Sequence, residues 1–217
     1  MRLSDGGILA VMRRATAVLR AGGIVLYPTD TLYGLGADAL SDEAVARIQR
    51  IKGRDEKKPI HCVVADMEMA ERYGDFNDTA HLLAKEFWPG PLTIVVKKKS
   101  GVESGIAKGM DTIGIRIPKS DFCFALAREF GKPYTTTSAN VGGRIPERSV
   151  KKILAQLGSA ASQIDLVVDA GELPPREPST IVDASGAKPV ILREGAVPSE
   201  EIWEFVGTIS KWDSAAA

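Results

Sequence analysis

Short apolar runs alternate with amphipathic helical stretches along almost the whole chain, and no repeat, low-complexity block or linker interrupts them. This alternation is the strongest constraint on the fold, because a strand–helix–strand order places helices on the faces of a sheet. Helical spacing is carried by Ile8, Val11, Met12, Ala15, Val18 and Leu19 before Gly22-Gly23, and by Ala44, Val45, Ile48 and Ile51 after Ser41. Ser149 caps a further helix with Val150, Ile153, Leu154 and Leu157 on one side, ended by Gly158. Ser120 opens a helix that closes at Gly131, and Ser199 opens a last one with Ile202, Phe205 and Val206. Asp66 and Asp78 read as N-caps of two more, the second ending at Trp88-Pro89-Gly90-Pro91. Strands are predicted at 24–27, 60–64, 92–96, 112–117, 134–137, 165–169, 181–184 and 189–193. The expected architecture is α/β, with helices flanking a twisted, mixed sheet, in a single domain over 1–210. Residues 211–217 read as a frayed tail.

The 217 residues carry 28 cationic and 28 anionic side chains, and 44% are hydrophobic. That composition excludes disorder as the dominant state and argues against a general nucleic-acid coat protein. No apolar stretch approaches the roughly 20 residues of a membrane span. Arg13 and Arg14 interrupt the apolar stretch near the N-terminus, so no signal peptide is read there and a cytoplasmic location is expected. Cys62 and Cys123 sit in apolar surroundings and read as reduced core thiols.

Chemistry concentrates in three loops. The first, Tyr27-Pro-Thr-Asp-Thr-Leu-Tyr-Gly-Leu-Gly-Ala-Asp38, follows the opening strand. Its Thr29, Asp30 and Thr31 offer hydroxyls and a carboxylate at a strand end, where ligands bind in open α/β sheets, and its glycines allow close backbone approach by a ligand. The same residues also suit a tight strand–helix turn with local hydrogen bonds. The second loop runs from Lys52 to Pro59; between Arg47 and Lys58 six cations face two anions. Such a run reads as a solvated face or, because it ends a helix and feeds an apolar strand, as a polyphosphate holder. The third begins Thr135-Thr-Thr-Ser-Ala-Asn-Val-Gly-Gly-Arg144 and continues to Ser149, a long polar connection in which Ser138 and Asn140 stand out as functional.

Other chemistries find no support. Gly34-Leu-Gly36-Ala-Asp-Ala39 imitates a dinucleotide fingerprint but lies too far from the preceding strand. A P-loop and a nucleophile elbow are both missing from the sequence. The two histidines, His61 and His81, lack metal-ligand spacing with Cys62 or each other. Chemistry that needs only positioning and positive charge, such as phosphoryl or nucleotidyl transfer, remains open.

These residues also form an ordered series of motifs: Tyr27-Pro-Thr-Asp-Thr-Leu-Tyr-Gly-Leu-Gly36, Lys52-Gly-Arg54, Phe87-Trp-Pro-Gly-Pro-Leu-Thr93, Ile115-Arg-Ile-Pro118, Thr137-Ser-Ala-Asn140, Pro178-Ser-Thr-Ile-Val-Asp183 and Ile191-Leu-Arg-Glu-Gly195. The series resembles the YrdC family of threonylcarbamoyl-AMP synthases over about residues 8–207. The resemblance implies a mixed sheet around a basic cavity. It also implies that L-threonine, bicarbonate and ATP give threonylcarbamoyl-adenylate and pyrophosphate, with magnesium on the phosphates. A partner enzyme would then transfer the threonylcarbamoyl group to tRNA.

By the same resemblance, Lys52 and Arg54 stabilise charge at the phosphates. Arg54, Lys58, Thr112, Ser138, Asn140, Pro146 and Arg193 fall at nucleotide positions, and Thr31, Arg116, Thr136 and Ser179 at threonine positions. Relatives often carry a histidine where this chain has Val63; His61, two residues earlier on the same strand face, is the alternative. The site is expected to have no covalent nucleophile and no metal ligand set of its own. The competing reading is a non-catalytic RNA-binding module, with Lys97–Lys99 extending the basic surface.

Overall fold

A computed structural model of the chain describes residues 1–2, 7–53 and 58–215, with side chains to residue 207. Its elements alternate as the apolar pattern requires: α1 (Gly7–Arg20), β1 (Val25–Pro28), β2 (Tyr33–Gly36), α2 (Asp42–Lys52), β3 (His61–Val63), α3 (Met67–Tyr73), β4 (Gly74–Asp75), α4 (Asp78–Phe87), β5 (Leu92–Lys98), β6 (Thr112–Arg116), α5 (Asp121–Phe130), β7 (Tyr134–Ser138), α6 (Val150–Leu157), β8 (Leu166–Val167), β9 (Thr180–Asp183), β10 (Val190–Arg193) and α7 (Ser199–Ala215). The strands form one mixed sheet in the order β10-β9-β5-β6-β3-β7-β2-β1-β8, with β4 paired to β5. Parallel pairs (β1/β8, β3/β6, β5/β9) are interspersed with antiparallel ones. The last three strands, close in sequence, divide between the two ends of the sheet: β8 flanks β1, while β9 and β10 form the opposite border. The final helix reaches Ala215, into the stretch read from sequence as a tail.

Helix ends follow local chemistry. Ser41, Asp66 and Ser120 each accept a hydrogen bond from the backbone N–H three residues on, and Gly53 and Gly131 close their helices in the left-handed region. One cap is corrected. Asn77, not Asp78, accepts the Ala80 N–H, and Asp78 is the first helical residue. The amide also donates to the Ala184 and Gly186 carbonyls, which a carboxylate could not do.

The larger correction concerns residues 33–36, expected in a loop. They form β2, paired antiparallel to β1 through Tyr27↔Gly34 and Pro28↔Tyr33. Both strands are buried along their whole length, so neither shows the alternation of a half-exposed strand. The glycines of β2 make room for Tyr27, which is fully buried and donates from its hydroxyl to the Thr135 carbonyl at 3.1 Å. A Cβ on Gly36 would lie 2.9 Å from the Tyr27 ring and 3.4 Å from the Tyr134 ring. At Gly36 the close approach is therefore made by core aromatics and not by a ligand. Gly36→Ala is expected to lower the unfolding free energy by about 1–3 kcal/mol, since a methyl group overpacks that ring; urea denaturation measures it.

Candidate active site

A cavity of about 470 Å³ lies where the β1–β2 turn meets β3, β5, β6, β7, β9 and β10. That volume falls within the range of small-molecule sites. Of the residues expected at the site, Thr31, His61, Arg116, Thr136, Ser138, Asn140, Pro146, Ser179 and Arg193 line it. Arg144 lines it as well, and the described lining contains three arginines and no carboxylate.

One end is organised by Arg116 at the end of β6, whose side chain is only 4% exposed. Its Nη2 donates to Asp30 Oδ1 at 2.6 Å, its Nη1 to Thr31 Oγ1 at 3.1 Å, and its Nε to the Gly90 carbonyl at 3.0 Å. A guanidinium has five N–H groups, so these bonds leave one on each Nη for a ligand. The Asp30–Thr31 turn is itself built by Thr29. Its Oγ1 accepts from the backbone N–H groups of Thr31 and Leu32 and donates to the Leu32 carbonyl at 2.7 Å. Gly90 is required by shape, since a Cβ there would lie 2.4 Å from the Phe87 carbonyl oxygen.

A second wall is built from Ser179 and Arg193. Arg193 donates to the Ser179 carbonyl from Nη2 at 2.7 Å and from Nε at 3.2 Å, and the Ser179 hydroxyl meets Thr93 Oγ1 at 3.0 Å. The chain around Arg193 is drawn in by buried Thr180. Its hydroxyl donates to the Val197 carbonyl at 2.6 Å and accepts from the Gly195 and Val197 N–H groups. His61 enters from β3 and sits over Gly114, where a Cβ would lie 2.3 Å from the imidazole Cδ2.

Ser138 and Asn140 form the third wall. Ser138 Oγ donates to Asn140 Oδ1 at 2.5 Å, and Asn140 Nδ2 donates to the Val141 carbonyl at 3.0 Å. The loop beyond is pinned to α6 by Gln156, which accepts from the Val141 N–H and donates to the Ile145 carbonyl, both at 3.0 Å.

Several expected residues lie elsewhere. Lys52 is 2% exposed and does not line the cavity. Its ammonium donates to the Ser138 carbonyl, to the Asn140 carbonyl at 2.9 Å and to Asn140 Oδ1 at 3.1 Å. It therefore clamps the Ser138–Asn140 turn. Lys58 is exposed and lines a separate hollow of about 290 Å³ beside Asp42, Gln49 and Lys108. Thr112 pairs with Lys97 at the far end of β6 from Arg116 and does not reach the cavity. Val63 is fully buried between Arg116 and Tyr134 in the sheet, so His61 is the member of that pair at the site. Arg54 lies outside the described residues.

The flanking features also resolve. Among the described residues no group of three His, Cys, Asp or Glu could hold a metal ion, and no helix is long and apolar enough to cross a membrane. Lys98 pairs with Glu103 and Lys99 with Asp75 at 3.2 Å, so most of the Lys97–Lys99 charge is balanced locally. Burial pushes the Cys62 thiol up to about 12 and the Cys123 thiol up to about 11, as expected of inert core thiols.

Sequence reading quoted Gly90, Thr93 and Arg144 within motifs but gave them no role, and it saw Asp30 without its partner. Trp88-Pro-Gly-Pro91 reads locally as a helix stop, and nothing local links Asp30 to Arg116, 86 positions away. Lys52→Met keeps the aliphatic stem but leaves the oxygens around Ser138 and Asn140 without their buried donor. It is expected to destabilise the fold by about 2–5 kcal/mol, read as a lowered urea midpoint.

The family model described as telomere recombination, which joins Sua5, YciO and YrdC, matches residues 17–195. A Pyrococcus abyssi protein named threonylcarbamoyl-AMP synthase is 36% identical over 199 residues, which are 91% of this chain and 58% of that protein. A Methanocaldococcus jannaschii protein named putative threonylcarbamoyl-AMP synthase is 39% identical over 182 residues, 83% of this chain and 84% of that one. The structure of P. abyssi Sua5 complexed with L-threonine superposes with a TM-score of 0.82 at 36% identity, over 90% of this chain and 57% of that one. This chain thus spans little more than half the length of the P. abyssi relative. With its motifs assembled around one cavity, the chain belongs to the Sua5/YciO/YrdC family.

Proposed function

We propose that the protein is a threonylcarbamoyl-AMP synthase, a nucleotidyltransferase that makes threonylcarbamoyl-adenylate and pyrophosphate from L-threonine, bicarbonate and ATP. The observation that carries this reading is the shared cavity. It sets a half-used guanidinium and a hydroxyl, Arg116 and Thr31, in one hollow with the Ser138–Asn140 turn and Arg193. Its support from relatives is that P. abyssi Sua5 was solved with L-threonine.

In this reading the two outward N–H groups of Arg116 take the amino-acid carboxylate, with Thr31, Thr136 and Ser179 alongside. The neutral amine attacks the bicarbonate carbon, giving a carbamate and water. A carbamate oxygen then attacks the α-phosphorus of ATP as the bond to the bridging oxygen breaks, and pyrophosphate leaves. No covalent enzyme intermediate is required. The protein's contribution is to hold two anions at reacting distance against their repulsion. Arg193 and Arg144 supply charge from the cavity wall, and Arg54 adds its charge to theirs. Ser138, Asn140 and Pro146 bound the nucleotide.

The lining offers a magnesium ion hydroxyls and carbonyls but no carboxylate among the described residues. Those residues do not fit a resident ion, and magnesium belongs to the substrate as MgATP. The product is a mixed anhydride, and a transfer enzyme acting on tRNA in the cytoplasm would consume it.

Pyrophosphate is expected from ATP only when threonine and bicarbonate are both present; release without either one overturns the reading. Arg116→Ala is expected to raise the threonine KM at least about tenfold, as befits loss of a charge-assisted pair, while the ATP KM moves far less. Arg193→Ala should show the reverse preference.

A further inference from the structure

We infer that Asp30 is the positioning residue that aims Arg116, so that the carboxylate grip at this site depends on an anion which itself does not line the cavity. The inference rests on the amino-acid reading above and adds a residue to it. The Asp30 side chain is 10% exposed and the Arg116 side chain 4%, so this pair is shielded from water. Asp30 is held from three directions. Arg116 Nη2 donates to Oδ1 at 2.6 Å, the Lys119 N–H donates to Oδ2 at 3.0 Å, and Arg176 Nη1 donates to the backbone carbonyl at 2.5 Å. The Lys119 N–H comes from the turn after β6, so Arg116 and the group that aims it are fixed by one stretch of chain.

The geometry makes the carboxylate matter through Arg116 alone. Nη2 is bound to Asp30, Nη1 to Thr31 and Nε to Gly90, which fixes the plane of the guanidinium at three points. A planar fork grips a carboxylate well only when its plane is fixed in advance. Without the charge on Asp30, the shortest of the three bonds to Arg116 loses its charge assistance and the guanidinium plane is held less firmly.

The test is Asp30→Asn, with Asp30→Glu as the variant that keeps the charge but shifts it by one methylene. In the full chain, the threonine KM of Asp30→Asn is expected to rise at least about tenfold, with kcat and the ATP KM within about twofold. A merely structural loss would lower kcat through the active fraction and leave both KM values alone. Asp30→Glu should fall between wild type and Asp30→Asn. The second readout is NMR of the Arg116 guanidinium protons, assigned by their absence in Arg116→Lys. They are expected to exchange slowly in wild type and to broaden or vanish in Asp30→Asn.

A folded Asp30→Asn with wild-type threonine KM overturns the inference. If Asp30→Asn does not fold, wild-type threonine KM in Asp30→Glu overturns it. If wild type itself shows no threonine-dependent pyrophosphate release, the proposed function fails, while unchanged Arg116 signals in either Asp30 variant would overturn the positioning role separately.

Discussion

The buried pair between Asp30 and Arg116 is the contact on which the arrangement of this molecule turns. It joins the hairpin turn after β1 to the end of β6, and through Arg116 Nε it captures the Gly90 carbonyl of the turn after α4. Three segments distant in sequence are thereby fixed at one point. A buried ion pair is weak evidence for stability, because desolvation offsets much of the attraction. Its value here is geometric, since it gives one charged side chain a single orientation beside a cavity.

A second buried cation works differently. The Lys52 ammonium donates to oxygens of Ser138 and Asn140, two of them backbone carbonyls. The Lys52 carbonyl in turn accepts the Gly142 N–H at 2.7 Å, so the end of α2 grips the third wall through both its side chain and its backbone. One cation is thus oriented by a carboxylate partner, and another shapes a turn by satisfying carbonyl groups. Both are buried, whereas Arg144 and Arg193, which also line the cavity, occupy exposed positions.

Much of this was legible in the sequence where the cause is local. Ser41, Asp66 and Ser120 announced helix starts because a short polar side chain can reach the N–H three residues on. Thr29–Thr31 and Ser138–Asn140 stood out because hydroxyls, a carboxylate and an amide gather at strand ends, while Ser179 was marked by the family resemblance alone. The strand at 33–36 was hidden because glycine is a poor strand former and because a strand buried on both faces shows no alternation. The surroundings of Lys52 were hidden for a related reason. Spacing shows that a lysine ends a helix beside other cations, but not that carbonyls 86 and 88 positions away will enclose its ammonium. His61 and Val63 share a strand, and only packing over Gly114 separates the one at the cavity from the one in the core.

The wall that carries Arg193 is a border strand. Among the described residues β10 pairs with β9 alone, its register shifts between Ile191 and Arg193, and Val190 and Leu192 are more than half exposed. Its placement relies on the Thr180 hydroxyl and on the bonds between Arg193 and Ser179 more than on a ladder shared with two neighbours. Amide protons in this segment should therefore trade with solvent sooner than those of β3 or β6, which are flanked on both sides. The cavity therefore has a well-laddered side in β3 and β6 and a border side in β10.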